Sequence, residues 1–251
     1  MTQIIGFAGR KQAGKNTACN FILAMKLAEL AVCAKSRLGE NGSVEVTDIF
    51  EERVSGLDWF PFDDPFVNTK SLFDDKLGAH IKIYAFADKL KRFAIEIFGL
   101  DESLVYGTDA DKNSKTFLKW QDMPESGKKK GTMTVREVLQ YVGTDVFRKM
   151  YKDIWVDSCI RDIKKDSPDL ALVCDVRFEN EIIAIQNEGG TVIGLTRFKE
   201  DDDEHKSESE IAKKLSLCDA IVDNSKLTIA EQNEKIYGVL KDTEFIPTIV
   251  D

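Results

Sequence analysis

No C-x-x-C spacing links any of the five cysteines of this 251-residue chain, Cys19, Cys33, Cys159, Cys174 and Cys218. That absence argues against zinc ligation, and the scatter of the cysteines through apolar segments reads as reduced core residues, not as a disulfide framework. No apolar run approaches the ~20 residues that a bilayer-spanning helix needs, and the first residues run straight into a strand in place of a secretory leader. A soluble, cytoplasmic protein with no membrane partner is the expectation. Positive charge is not in excess either: 44 acidic residues against 35 Lys and Arg leave a formal charge of -9. A general nucleic-acid surface is thereby disfavoured, because phosphate-backbone binders carry a basic face. The local exception, Lys128 to Lys130, reads as a solvated loop tip. With 43% hydrophobic and 31% charged residues the chain has the make-up of a globular enzyme, which argues against disorder, and it shows no internal repeat.

What the chain does have is alternation. Apolar runs of strand length alternate with helical patterns, the mark of βαβ units around a parallel sheet. The runs "QIIGFAG" (3–9), "IKIYAFA" (81–87), "LALVCDV" (170–176), "TVIGLTR" (191–197) and "AIVDN" (220–224) read as strands. Helices are predicted over 14–35, 88–98, 134–147, 152–164, 179–188, near 207–215 and over 229–241. Two stretches break the pattern. Residues 37–79 are aromatic, acidic and turn-rich, residues 101–133 are polar and basic, and each exceeds a plain connection in length. Both read as insertions at the rim, covering a substrate cleft. The acidic run Glu200 to Glu204, ahead of "HKSESE", suits either a solvated turn or a mobile lid.

Gly9-Arg10-Lys11-Gln12-Ala13-Gly14-Lys15 fits the pattern G-x-x-x-x-G-K, after a strand and at the opening of a helix. Each part of such a P-loop has a physical task. The glycines let backbone N–H groups approach an anion, the helix N-terminus adds positive partial charge, and Lys15 bridges the outer phosphates. The competing reading is a chance glycine turn, but spacing, context and lysine coincide. Asn16 occupies the slot where Ser or Thr normally meets Mg²⁺, and Thr17 comes one residue late. The guest expected here is the β/γ-phosphate of ATP or a relative. The expected fold class is α/β: a P-loop NTPase-type three-layer fold with a parallel sheet flanked by helices, plus inserted lid and substrate-binding segments.

A P-loop alone does not separate kinases, GTPases and motors. No N-K-x-D guanine signature follows, and the acidic chain lacks the extended partner surface of a motor or helicase. A small-molecule kinase needs a second polar pocket, and two segments are candidates. In "TVREVLQYVGTDVFRKM", Arg136, Gln140, Gly143 and Thr144 fall at i, i+4, i+7 and i+8, on one face of a helix. A solvated outer face is the alternative. Gly143 weighs against it, since a helix-interior glycine costs about 1 kcal/mol against alanine and marks close approach by a ligand or another backbone. In "LALVCDVRFENE", Asp175 and Arg177 stand at the carboxyl end of a buried strand, where open α/β sheets bind ligands. Asp175 can hold Mg²⁺ or its waters and Arg177 can pair bidentately with a phosphate; a plain Asp to Arg ion pair is the rival. Glu181, four residues beyond Arg177, is placed to orient that guanidinium or to accept from a base edge.

Taken together, "GRKQAGKNT", "YAFADKLKRFA", "VREVLQYVGTDVFRKMYKDIWVD", "DVRFENE", "GGTVIGLTR" and "DEHKSESE" resemble the deoxynucleoside monophosphate kinases of tailed bacteriophages. The resemblance covers the P-loop region and most of 79–241 in the family's order; 37–79 has no counterpart in it. It implies transfer of the γ-phosphate of ATP, with Mg²⁺, to a 5'-deoxynucleoside monophosphate (dNMP), in a host cytoplasm if the chain is phage-encoded. It also implies that residues 9–17 carry the ATP phosphates, that Arg136, Gln140, Gly143, Thr144 and Trp155 shape the monophosphate pocket, and that Asp175, Arg177 and Glu181 line the reaction centre. Lys15, Arg177, Arg148 and Arg10 would supply positive charge, Asn16 and Asp175 would serve Mg²⁺ directly or through water, and His205 matches a lid histidine. The organisation that follows is a P-loop core over 1–36, 80–100 and 165–245, an insertion over 37–79, a substrate-binding helical region over 101–164 and a lid over 199–215. The partners implied are nucleotides, and a homodimer is compatible with the family, although no heptad or isolated apolar face argues for one. Phosphomevalonate kinase and dephospho-coenzyme A kinase share the short P-loop and the acidic strand end. A module that uses ATP only to change shape is the reading from a different class.

Overall fold

A computed structural model describes residues 2–49, 59–62, 77–124, 127, 129–197 and 213–241. The chain forms two compact units, Met1–Ala85 with Ile160–Asp251, and Phe86–Cys159. In chain order the elements are β1 (Gln3–Ala8), α1 (Lys15–Glu29), β2 (Cys33–Leu38), β3 (Val44–Ile49), β4 (Phe60–Pro61), β5 (Ile81–Tyr84), α2 (Asp88–Phe98), α3 (Glu102–Tyr106), α4 (Asp109–Lys112), β6 (Lys115–Lys119), β7 (Thr132–Thr134) and α5 (Val135–Gln140). A π-helical segment, Tyr141–Arg148, continues α5, and then come α6 (Ile154–Asp166), β8 (Leu170–Val176), α7 (Glu179–Asn187), β9 (Thr191–Leu195), β10 (Ala220–Val222) and α8 (Ile229–Leu240).

All five strands expected from the apolar runs join one sheet, in the order β10-β9-β1-β8-β5, and every pairing is parallel. β1 is central because it is apolar on both faces. Ile5 and Phe7 pack with Ile22 and Leu27 of α1 and Ile236 of α8. On the opposite face a Cβ at Gly6 would lie 2.6 Å from Ile185 Cδ1 of α7, so glycine lets that helix approach. The result is helix, sheet, helix, the three-layer arrangement that places ligands at the carboxyl ends of the strands.

α1 ends at Glu29, six residues short of the predicted end. Ala31 takes the left-handed conformation (φ 51°), and the chain turns back as β2, which pairs antiparallel with β3, itself paired with β4. Helical periodicity over Leu30 to Lys35 loses to this pairing because Cys33 gains a place in the core and the Ser36 hydroxyl donates to the Ala24 carbonyl at 2.5 Å. Three of the predicted strands stop two or three residues early, at Tyr84, Leu195 and Val222, leaving Arg197 and Asn224 outside the ladders.

The second unit has its own core, in which Trp120, Met133, Val135, Val138 and Tyr141 are buried. α5 starts at a reciprocal cap. Thr134 Oγ1 accepts from the Glu137 N–H at 3.1 Å, and the Glu137 carboxylate accepts from the Thr134 N–H at 2.7 Å. That backbone hydrogen bond holds the Glu137 carboxyl below its ordinary pKa.

Candidate phosphate-binding site

The loop from Gly9 to Lys15 joins the end of β1 to α1. Its two glycines are needed for distinct reasons. At Gly9 (φ 153°) a Cβ would lie 2.7 Å from the Leu195 carbonyl oxygen, so the loop closes against β9 only without a side chain. At Gly14 (φ 93°) it would lie 2.6 Å from Gln232 Oε1 of α8. Lys15 is buried, and its ammonium donates to the carbonyls of Gly9, at 2.9 Å, and Arg10. Burial lowers its pKa to about 8, and Arg177 pushes the same way, while Asp175 opposes them. Lys15, Asp175 and Arg177 therefore share one electrostatic neighbourhood, as the spacing from strand to loop suggests. Asn16 is exposed. Thr17 faces the β2–β3 turn, where a Cβ on Gly42 would lie 2.6 Å from Thr17 Oγ1, and Asn20 Nδ2 donates to the Gly42 carbonyl at 2.9 Å.

Arg177 is exposed and lines a cavity of about 120 Å³ with Gly9, Arg10 and Lys214. Ala8, Val176, Ile182 and Leu215 complete the lining, so the three cations share this space with apolar side chains. Glu181 is 2% exposed, and its Oε2 accepts from the backbone N–H groups of Arg177, at 2.7 Å, and Phe178, at 3.0 Å. Its carboxylate thus orients the Arg177 backbone.

In the second unit Arg136 donates from Nε to Asn113 Oδ1 at 3.0 Å and from a terminal nitrogen to Asp109 Oδ1 at 2.8 Å. Gln140 and Thr144 are exposed, but Gly143 is buried: a Cβ there would lie 2.5 Å from Leu90 Cδ2. The close approach marked by this glycine is made by a leucine side chain. The expectation of one shared face does not hold for Gly143, because the turn widens to the i→i+5 pattern over Tyr141–Arg148. Trp155 is buried, with its indole N–H on the Gly143 carbonyl at 3.1 Å and its ring 5.2 Å from that of Phe147. Arg148 is half-buried. His205 and the rest of 198–212 lie outside the described residues.

Three contributors escaped the sequence reading. Lys214 was hidden in a segment read as lid. Asn224, fully buried, donates from Nδ2 to the Ala13 carbonyl at 2.8 Å and to Gln232 Oε1 at 2.6 Å. Gln232 had a legible signal, being a polar residue on the buried stripe of α8 that continues through Ile236 and Leu240. Asn224 had none, since its partner stands 211 residues away.

Among the described residues no group of three or more His, Cys, Asp or Glu could hold a metal ion. Oxygen donors such as Asp175 and Asn16 fit Mg²⁺, which binds through one or two protein oxygens, phosphates and water. Among the same residues no helix is long and apolar enough to cross a membrane.

A strand–glycine loop–helix element at the carboxyl edge of a five-stranded parallel sheet, with a buried lysine at its neck, defines a P-loop NTPase-like protein. Residues 80–236 match the family model for deoxynucleotide monophosphate kinase, and the chain belongs to that family. The match begins downstream of the P-loop, so the loop and the family model bear on function independently. A protein of Acanthamoeba polyphaga mimivirus with the provisional name deoxynucleotide monophosphate kinase is 33% identical over 170 residues, 62% of this chain and 80% of the mimivirus protein. Kinase activity on nucleotides is the function that these similarities support.

Proposed function

We propose that this kinase transfers the γ-phosphate of ATP to the 5'-phosphate of a deoxynucleoside monophosphate, giving ADP and the deoxynucleoside diphosphate for DNA synthesis. The observation that carries the reading is the buried Lys15, with Asp175 and Arg177 in its field, in a chain of this family. Residues 9–17 hold the ATP phosphates through backbone N–H groups and the helix N-terminus. The Lys15 ammonium exchanges the Gly9 and Arg10 carbonyls for phosphate oxygens. Arg177, aided by Arg10 and Lys214, neutralises charge spread over the transferred group, which is where phosphoryl transfer needs most help. Mg²⁺ would be held by Asp175 and Asn16, directly or through water, and would supply further charge neutralisation. Glu181 fixes the backbone that carries Arg177. Residues 101–164 are the candidate acceptor-binding region, with Arg136, Gln140 and Thr144 as its polar contributors and Gly143 and Trp155 shaping the helix that carries them. The acceptor phosphate is ionised at neutral pH, so no dedicated general base is required.

The test is ADP release coupled to a reporter, with the four dNMPs, their ribo counterparts, phosphomevalonate and dephospho-coenzyme A as acceptors. ADP release that depends on a dNMP, and that falls at least about 100-fold in Lys15→Ala, is expected. ATP binding without transfer to any of these would leave the ATP-binding module as the better reading.

A further inference from the structure

We propose that Asn224 and Gln232 are positioning residues of the phosphate loop, a buried amide pair that sets the direction of the Ala13–Gly14 peptide. The proposal rests on the reading that this loop holds phosphate, and on nothing about the acceptor. Every hydrogen-bonding group of the Asn224 side chain is assigned. Its Oδ1 accepts from the Arg197 N–H at 2.7 Å, which fixes which way the amide is turned. Its Nδ2 must then face the Ala13 carbonyl, at 2.8 Å, and Gln232 Oε1, at 2.6 Å. The Arg197 side chain holds the same turn from outside, donating from Nε to the Asn224 carbonyl at 3.0 Å and from a terminal nitrogen to the Leu227 carbonyl.

In a trans peptide the carbonyl of one residue and the N–H of the next point in opposite directions, and no described peptide is cis. Drawing the Ala13 carbonyl inward to Asn224 therefore turns the Gly14 N–H outward, to the side from which an anion would approach. A second observation concerns Gln232. It is 1% exposed, and its Nε2 is buried with no hydrogen-bond partner among the described residues. A buried donor without an acceptor is destabilising, and a methionine or leucine at this place would avoid it. What the amide adds is the Oε1 acceptor, which holds the second Nδ2 hydrogen of Asn224 and so the angle of the first.

The test uses inorganic tripolyphosphate as the probe, by titration calorimetry on the full chain, with thermal unfolding of each variant alongside. Asn224→Asp keeps the shape and replaces the donor facing Ala13 with an acceptor; binding at least tenfold weaker is expected. Gln232→Met removes the acceptor together with the unpartnered donor; a three- to tenfold loss of affinity, with a melting temperature equal to or above that of the parent, is expected. In turnover both variants should raise KM for the nucleotide donor and leave KM for the acceptor unchanged. Gln232→Met with parental affinity for tripolyphosphate would overturn the proposal, and it decides alone should Asn224→Asp not fold. A parent chain that binds tripolyphosphate but phosphorylates no monophosphate would end the kinase reading and leave this one standing. A parent chain that does not bind tripolyphosphate would overturn it.

Discussion

Lys15 is a loop residue whose chemistry the fold alters. Its ammonium is buried, and the desolvation lowers its pKa to about 8. A bound polyphosphate favours the charged form. The sign of the pH effect follows: binding is strongest where Lys15 is already protonated, below about 8, and weakens as pH rises through that value. The dissociation constant for ATP should climb toward tenfold per pH unit above about 8, and titration at fixed ionic strength on parent and Lys15→Ala checks it. A climb of the same steepness in Lys15→Ala would assign the effect elsewhere. At this scale Gly9, Gly14 and Lys15 were legible, because a P-loop is a local device written in seven consecutive residues. The lowered pKa and the amide pair behind the loop were not, since both arise from chain segments brought together by the fold.

Among the elements, α7 shows how a catalytic candidate is held in place. Glu181 sits in the first turn of the helix and accepts from two backbone N–H groups that precede or open it, those of Arg177 and Phe178. Such groups have no intrahelical acceptor, and a carboxylate at a helix N-terminus also opposes the macrodipole favourably. Replacing Glu181 with alanine should cost about 1–3 kcal/mol in urea unfolding, and Glu181→Gln, which keeps an acceptor oxygen, clearly less. Equal losses in the two would point to the charge and not to the hydrogen bonds. The bounds of α2 and β8 were readable to the residue, each being an apolar pattern with a turn at its end. The end of α1 was not, because Ala31, Val32 and Cys33 are as compatible with a helix as with the left-handed turn at Ala31 and the strand that begins at Cys33. The π-helical turn was equally invisible: a pattern search assumes 3.6 residues per turn and cannot register a change to i→i+5 hydrogen bonding.

For the whole molecule, the five apolar runs identified a parallel sheet but not its order. Nothing in the runs says that β8 enters between β1 and β5, because an apolar run marks a buried strand without marking which neighbour it pairs with. The β2–β3–β4 sheet was missed as a sheet, since it lies across a predicted helix and a stretch read as an insertion. Ligand linkage acts on the whole fold: a nucleotide that binds only the folded chain at 100 times its dissociation constant stabilises it by about 2.7 kcal/mol. For a chain of this length that corresponds to a rise of roughly 5–10 °C in melting temperature. ATP with Mg²⁺ should produce such a rise in the parent and none in Lys15→Ala, as scanning calorimetry would show. A comparable rise in Lys15→Ala would place the nucleotide away from the P-loop.

The turn between β2 and β3 rests on the first turns of α1, through Gly42 against Thr17 and the Asn20 amide. This accessory hairpin is thus not a decoration free to drift in sequence. Its tip is a bearing surface for the helix that carries Lys15, so added bulk at its apex would press on Thr17 and Asn20 of that helix.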